Sequence, residues 1–202
     1  MPPVPPTRAY SSSKRDAAAA EKRDAVIAAA GRLLEDGPGM VSMEAVAQAA
    51  GVTRLTVYKQ FGSRRGLLEA VFDENARRGG ITRMAEAMQM ADGHAGIDLA
   101  IDILCGFWGS HPSFAKLHDA AASDPEFAEA INTRNERRRI VFDNLLKRMT
   151  GPDAARVECS DLIFGLTSMA MFRMLSATRT PGQIAVTLKS TIAAILDRNG
   201  LK

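Results

Sequence analysis

The residues with the most informative chemistry lie between Ser42 and Leu68, in the stretch SMEAVAQAAGVTRLTVYKQFGSRRGLL. A short helix is expected to follow Ser42, which can cap its first turn, and to end at Gly51, a residue suited to the left-handed backbone beyond a helix. Thr53 is placed to cap a second short helix. Two short helices joined by a tight turn form a helix-turn-helix, whose second helix reads base edges in the major groove of DNA.

Two sets of side chains around the second helix are suited to contact DNA in different ways. Arginine and lysine can donate to guanine edges, threonine can bond a base or a phosphate, and leucine can meet a thymine methyl group. We expect base contacts from Arg54, Leu55, Thr56 and Lys59. Hydroxyls, arginines and helix N-termini favour phosphate groups, which position a protein without reading sequence. We expect phosphate contacts from Ser42, Thr53, Tyr58, Ser63, Arg64 and Arg65.

The sequence lacks the common signatures of catalysis and metal binding. It contains no phosphate-binding loop of the form GxxxxGKS/T, no HExxH and no GxSxG. The histidines His94, His111 and His118 are scattered, and Cys105 and Cys159 do not have the spacing of metal ligands. The sequence therefore predicts that the protein is not an enzyme and has neither a metal site nor a cofactor.

Composition and charge favour a cytoplasmic protein with no membrane partner. The longest apolar stretch, Leu162 to Phe172, is too short to span a bilayer, and the N-terminus begins with prolines and serines instead of a signal sequence. The net charge is +3, and residues 1–65 hold ten Lys or Arg against six Asp or Glu. That excess fits a polyanionic partner, although an ordinary solvated surface would explain it equally well.

The spacing of apolar residues predicts an all-α fold without strands. Residues 1–20, rich in proline and serine, are expected to form a flexible basic arm. Residues 21–79 are expected to form a small three-helix domain that contains the helix-turn-helix, and residues 80–202 a larger helical bundle. Prolines suited to a first helical turn open three long helices in that bundle. These helices are expected over residues 125–149, 152–177 and 181–198.

The stretch from Ser42 to Leu68 resembles the DNA-binding domain of the TetR family of bacterial transcriptional regulators. The family pattern, T-x-x-x-I/V-A-x-x-A-G-V-S/T-x-x-x-V/L-Y-x-x-F-x-S/N-K/R-x-x-L, is matched without gaps. Leu55 stands where the family often has glycine, and it should change which base steps are tolerated. Arg64 stands where lysine is common, and it keeps a phosphate role. The matching residues are Ser42, Val46, Ala47, Ala50, Gly51, Val52, Thr53, Val57, Tyr58, Phe61, Ser63, Arg64 and Leu67.

The resemblance implies a ligand-responsive repressor that acts as a homodimer on a palindromic operator in double-stranded DNA, with the larger domain serving dimerisation and effector binding. The nearly all-apolar helix near 162–175 fits either a core helix or a face that meets a second subunit. Arg173, which interrupts it, is either a rim residue of that interface or a pocket group for an anionic ligand. The residues expected at the interface are Phe164, Met171, Leu175, Leu188, Ile192 and Ile195.

Methionine and aromatic side chains in the larger domain suggest an adaptable cavity for a small apolar or amphipathic effector, although each would also serve as plain core. Asn132, Asn135 and Glu136 supply either polar groups in that cavity or a solvated turn. The residues expected to line it are Met84, Met88, Phe107, Trp108, Phe114, Asn135, Met169 and Phe172. An alternative function is an all-α adaptor or small-molecule-binding protein whose small bundle contacts a protein partner. A steep salt dependence would distinguish DNA binding from it.

Overall fold

A computed structural model describes residues 9–122 and 124–202 of the chain. The all-α prediction is confirmed, because the regular secondary structure of these residues consists of helices and includes no strand. The α-helices are α1 (Ala9–Asp36), α2 (Met43–Ala49), α3 (Arg54–Phe61), α4 (Arg64–Arg78), α5 (Met84–Gln89), α6 (Gly93–Gly109), α7 (Ser113–Ala121), α8 (Pro125–Leu146), α9 (Asp153–Leu166), α10 (Met169–Ser176) and α11 (Pro181–Arg198). Short 3₁₀ turns lie at Pro38–Met40 and Ile81–Arg83.

The described residues form two compact units that divide between Val71 and Phe72. The first unit contains α1, α2, α3 and the beginning of α4. Its helices meet around side chains with essentially no solvent exposure, so burial of apolar area is what holds the short α2 and α3 in place. These core residues are Val26, Ala30, Leu34, Val46, Val57, Leu67 and Leu68.

The first helix is longer than the sequence suggested. We expected a flexible arm over residues 1–20, but α1 begins at Ala9. The run of alanines at 17–20 and the charged residues after it are strong helix formers, and they extend the helix although the side chains of residues 15–25 are exposed. Of the predicted arm, residues 1–8 lie outside the described part of the chain.

The second unit is organised around α6, which packs against α5, α8 and α11. Helix α8 also packs against α7 and α9. Large apolar side chains fill the space between these helices, so the second unit has a core of its own. Its fully buried residues include Ile97, Ile101, Phe114, Leu117, Phe127, Phe142, Leu145 and Ile163. No helix of the described residues is both long and apolar enough to cross a membrane.

The segment expected to be one helix over 152–177 is broken into α9 and α10 at Thr167 and Ser168. The Ser168 hydroxyl caps α10 by accepting from the backbone N–H of Met171 at 3.2 Å. The carbonyl of Thr167 accepts from Trp108 Nε1 at 3.2 Å and from Arg138 at 2.8 Å. Buried donors thus satisfy the backbone that the break leaves without helical partners. Apolar residues on both sides concealed the break in the sequence.

Candidate nucleic-acid interface and cavity

The helix-turn-helix of the first unit is formed by α2, the turn at residues 50–53 and α3. The Ser42 hydroxyl caps α2 by accepting from the N–H of Ala45 at 3.1 Å. Gly51 adopts a φ of +65°, a left-handed conformation that favours glycine. The Thr53 hydroxyl caps α3 by accepting from the N–H of Thr56 at 3.2 Å. Ser42 and Thr53 therefore act as helix caps, and Gly51 forms the turn, as the sequence predicted.

Helix α3 has a buried side and an exposed side. Val57 and Phe61 are buried in the first unit, while the Leu55 side chain is 62% exposed. Arg54 and Lys59 are also exposed. Three of the four residues expected to contact bases are therefore accessible together. The fourth, Thr56, is half-buried, and its hydroxyl lies 2.9 Å from that of Thr53.

Arg54 and Tyr58 interact with each other on the exposed side of α3. The Arg54 guanidinium donates to the Tyr58 hydroxyl at 3.3 Å and lies 5.3 Å from the centre of its ring. Hydrogen bonding to Tyr58 raises the pKa of Arg54 above its ordinary value. Glu44 on α2 lies 3.9 Å from the same guanidinium. A predicted base contact and a predicted phosphate contact are thus physically coupled.

The N-terminus of α4 carries the other predicted phosphate contacts. Ser63 is exposed, and its hydroxyl accepts from the N–H of Gly66 at 3.1 Å. Arg65 Nε donates to Glu69 at 2.7 Å. Arg64 is half-buried, and its Nε donates to the carbonyl of Val41 at 2.8 Å. That bond gives Arg64 a structural role, joining α4 to the loop before α2, which the sequence did not indicate.

Two further residues that sequence reasoning missed support this site. A Cβ at Gly66 would lie only 2.2 Å from the carbonyl oxygen of Phe61, so α3 and α4 can approach as they do only with glycine at this position. Arg23 on α1 donates to the carbonyl of Gln60 at 3.1 Å and lies 4.4 Å from the centre of the Phe61 ring. Only Gly66 could have been noticed in the sequence. Glycine destabilises the interior of a helix, so its presence there indicates a close packing contact.

The second unit contains a cavity of about 250 Å³. Four of the residues expected to line a cavity do so: Met84, Phe107, Trp108 and Asn135. The wall also includes residues that we did not expect. These are Phe72, Asp73, Ala76, Ile81, Leu104, Arg134, Arg137, Arg138 and Val141.

The other four expected cavity residues lie elsewhere in the second unit. Phe114 is fully buried in the core, where its ring centre lies 4.3 Å from that of Phe107. Met88 is half-buried, and Phe172 borders a narrow gap in the core. Met169 borders a shallow cleft beside His118. Periodicity alone therefore could not separate the residues of the core from those of the cavity wall.

Arginines give the cavity its polar side. Both Nε and Nη2 of Arg134 donate to Asp73 at 3.0 Å. Arg138 is only 7% exposed and donates to the carbonyls of Thr167 and Phe164. Burial, followed by repulsion from Arg139, lowers the pKa of Arg138 to about 10. A run of three arginines in the sequence hides which one is buried, so only the fold identifies it.

The residues expected at a dimer interface have mixed placements. Leu188 and Ile192 were placed wrongly, because both are buried in the core of the second unit, where α11 packs on α6. Arg173 pairs with Asp119 of the same chain at 2.6 Å. The remaining residues are partly accessible, namely Phe164, Met171, Leu175 and Ile195.

Comparison with known proteins agrees with this geometry. The family described as "Bacterial regulatory proteins, tetR family" matches residues 26–71, which include the helix-turn-helix. The HTH-type transcriptional regulator EthR of Mycolicibacterium smegmatis is 34% identical over 113 residues, covering 54% of this chain and 52% of that protein. The chain therefore matches about half the length of this curated relative.

Two solved structures share the fold. The transcriptional regulator FadR from Bacillus subtilis, in complex with stearoyl-CoA, superposes with a TM-score of 0.68 and 19% identity, over 83% of this chain and 96% of that one. A TetR transcription regulator from Haloarcula marismortui superposes with a TM-score of 0.65 and 17% identity, over 91% of this chain and 100% of that one. At these identities the likeness concerns the fold. Residues 26–71 match the family of TetR bacterial regulatory proteins, and the described residues share the fold of these solved regulators.

Proposed function

We propose that this protein is a transcriptional regulator that binds an approximately palindromic DNA operator as a homodimer and responds to a small effector. The observation that carries the proposal is the exposed side of α3. Arg54, Leu55 and Lys59 project there from a helix whose opposite side is anchored by Val57 and Phe61. A helix held in this way can enter a major groove with its side chains already positioned.

The predicted contacts divide into those that read sequence and those that position the protein. Lys59 has no side-chain partner among the described residues, so its ammonium group can donate to a base edge without breaking another contact. Ser42, Ser63 and Arg65 lie at or beside helix N-termini, where hydroxyls and backbone N–H groups attract phosphates. The Tyr58 hydroxyl lies on the exposed side of α3, where it can donate to a phosphate. The Thr53 and Thr56 hydroxyls bond each other and contribute through the cap of α3.

Dimerisation is supported by exposed apolar side chains on two adjacent helices. Val157 and Leu162 on α9 are 66% and 37% exposed, and Val186 on α11 is 69% exposed. Helices α9 and α11 pack against each other, and Glu158 lies 3.8 Å from Arg198. We assign the dimer face to these two helices, with Ile195 at its edge. A two-fold axis there would match the symmetry of a palindromic operator.

The effector site is assigned to the cavity of the second unit. Its wall includes Phe72, Asp73 and Ala76 from α4, the helix that begins at Arg64 beside the helix-turn-helix. We propose that an effector favours a dimer geometry in which the two α3 helices no longer match successive major grooves. The DNA is then released, which makes the protein a repressor whose target genes are transcribed when the effector is present.

Selection of the purified protein against random double-stranded DNA tests this function. The enriched pool is sequenced and then titrated at two salt concentrations. An enriched palindrome with affinity that falls steeply with salt is expected, because phosphate contacts release counterions. Absence of enrichment at both salt concentrations would contradict the proposal and favour the adaptor function, in which the first unit contacts another protein.

A further inference from the structure

The cavity of the second unit carries an excess of positive charge. Three arginines and one aspartate line it. Asp73 is held by both Nε and Nη2 of Arg134, so this pair is internally neutralised. Arg137 has no ion-pair partner among the described residues. The cavity therefore presents guanidinium groups that its own wall does not neutralise.

Arg138 is the most unusual of these groups. It is 7% exposed, and within 4.0 Å of its nitrogens the described residues offer no carboxylate. Its two terminal nitrogens donate to the carbonyls of Thr167 and Phe164 at 2.8 and 3.1 Å. Its Nε is buried and has no hydrogen-bond partner among the residues that the structure describes. A buried cation without a counter-ion is costly, and an unsatisfied buried donor adds to that cost.

The remainder of the cavity is suited to an apolar group. Phe72, Phe107, Trp108, Leu104 and Met84 form its walls. A volume of about 250 Å³ corresponds to roughly eight water molecules at liquid density. This space fits a molecule with about ten non-hydrogen atoms, and the mixed wall requires one polar end.

We propose that the cavity binds a small amphipathic carboxylate. Its anionic group lies against Arg138 and Arg137, with Asn135 as an additional donor, and its apolar part lies between Phe72, Phe107 and Trp108. A carboxylate at this wall is attracted by the buried guanidinium of Arg138, which has no carboxylate partner, and it can accept a charge-assisted bond from Arg137, which is stronger than a neutral one. This inference rests on the proposed role of the cavity as the effector site, and it specifies the chemistry of the effector.

Binding can be followed on the unmodified protein, because Trp108 is its only tryptophan. Octanoate, octanamide and octylamine have nearly the same size and differ in the charge of the polar end. We expect octanoate to change the Trp108 fluorescence and to bind about tenfold or more tightly than octanamide, with octylamine weakest. Equal or tighter binding of octanamide or octylamine would overturn the proposal, as would the absence of a Trp108 response to octanoate below about 1 mM.

Variants locate the anion within the cavity. Arg137→Gln, at an exposed position, should leave the fold intact and reduce the preference for octanoate over octanamide several-fold. Arg138→Gln should reduce it further. Arg139→Gln is the matched control, because Arg139 is the next residue on α8 but pairs with Asp161 at 2.5 Å outside the cavity wall. An unchanged preference for octanoate in Arg137→Gln would overturn the assignment. An equally large loss of that preference in Arg139→Gln would also overturn it, by placing the anion elsewhere. Both outcomes can be read even if Arg138→Gln does not fold.

DNA binding by the ligand-free protein separates failure of this inference from failure of the proposed function. Salt-sensitive operator binding combined with no preference for octanoate would overturn the carboxylate proposal and leave the regulator function standing. A clear preference for octanoate in a protein that binds no DNA would contradict the regulator function while supporting the carboxylate site.

Discussion

Arg54 and Tyr58 share a hydrogen bond on the exposed side of α3, so their contributions to DNA binding should not be independent. We expect Arg54→Ala, Tyr58→Phe and the double variant to give free energies of operator binding that differ from additivity by about 0.5–1 kcal/mol. Titration of each variant against the selected operator measures this coupling.

Lys59 provides the comparison for that pair. Lys59→Ala should relax base preference by about 1–3 kcal/mol at particular positions and should add to Tyr58→Phe without coupling. Tyr58→Phe should weaken binding to all sequences roughly alike. If Tyr58→Phe altered base preference and Lys59→Ala did not, the division into reading and positioning residues would be wrong.

Arg64 is expected to support folding as well as DNA binding. Its Nε bond to the carbonyl of Val41 spans 2.8 Å in a half-buried position, and loss of such a bond costs about 1–2 kcal/mol. Urea unfolding of Arg64→Ala should show this loss. Arg65→Ala is the control, because the Arg65–Glu69 pair lies near the surface, where ion pairs contribute little. Equal unfolding free energies for the two variants would contradict the structural role of Arg64.

His118 should make stability depend on pH. Burial, followed by the nearby charge of Arg138, lowers the pKa of His118 below its ordinary value near 6.5. The unfolded chain therefore binds the proton at a higher pH than the folded chain, and stability falls as pH drops below about 6.5, by at most about 1.4 kcal/mol per pH unit. Urea unfolding between pH 5 and 7.5 should show a smaller slope for His118→Gln than for the unmodified protein. His94→Gln, at an exposed position, should keep the original slope; a matching reduction there would contradict the assignment to His118.

At the scale of single residues, capping residues could be predicted from the sequence, whereas buried polar contacts could not. Ser42 and Thr53 could be recognised because a cap depends on residues within one turn of the chain. The Arg64 bond to Val41 and the Arg138 bonds to Phe164 and Thr167 join residues 23 or more positions apart. No local pattern encodes such pairs, because they depend on how helices pack.

The approach of α3 to α4 depends on Gly66. A Cβ at this position would lie 2.2 Å from the Phe61 carbonyl oxygen, which is backbone and cannot turn aside. Gly66→Ala should therefore destabilise the protein by about 1–3 kcal/mol, as overpacking does. Gly31→Ala in α1 is the matched control, because nothing lies within 4 Å of a Cβ there. The control should be neutral or stabilising by up to about 1 kcal/mol, because alanine favours helix. Chemical unfolding measures both variants, and a stabilising Gly66→Ala would show that α4 shifts freely.

Helices were predictable where caps and turn residues mark their ends. The pattern around Gly51 correctly separated α2 from α3, and Pro125 and Pro181 correctly opened α8 and α11. The break between α9 and α10 was missed because apolar residues continue through it and only Ser168 marks a cap. The carbonyls at that break are satisfied from α6 and α8, so the interruption is stabilised by tertiary packing, which periodicity does not contain.

At the scale of the whole molecule, the fold class and the resemblance of the helix-turn-helix to TetR regulators could be predicted, because both depend on dense local patterns. The sequence could not assign the apolar residues of the second unit correctly among core, cavity and surface. Leu188 and Ile192 lie on the buried side of α11, whereas Val186 is exposed on the opposite side of the same helix. Only the packing of α6 on α11 distinguishes these two sides.

The exposed side of α9 and α11 leads to a prediction about assembly. Val157→Glu or Val186→Glu places a charge at the centre of the proposed interface, and two-fold symmetry introduces it twice. The dimer dissociation constant should rise by about two orders of magnitude, equivalent to about 3 kcal/mol, because unpaired charges would be buried. Light scattering over a range of protein concentrations measures the change.

Ile140→Glu on α8 is the matched control, since Ile140 is 56% exposed but lies outside α9 and α11. A palindromic operator requires two linked first units, so both interface variants should also weaken operator binding, while Ile140→Glu should not. Dimers that persist in both interface variants would place the two-fold contact on another surface.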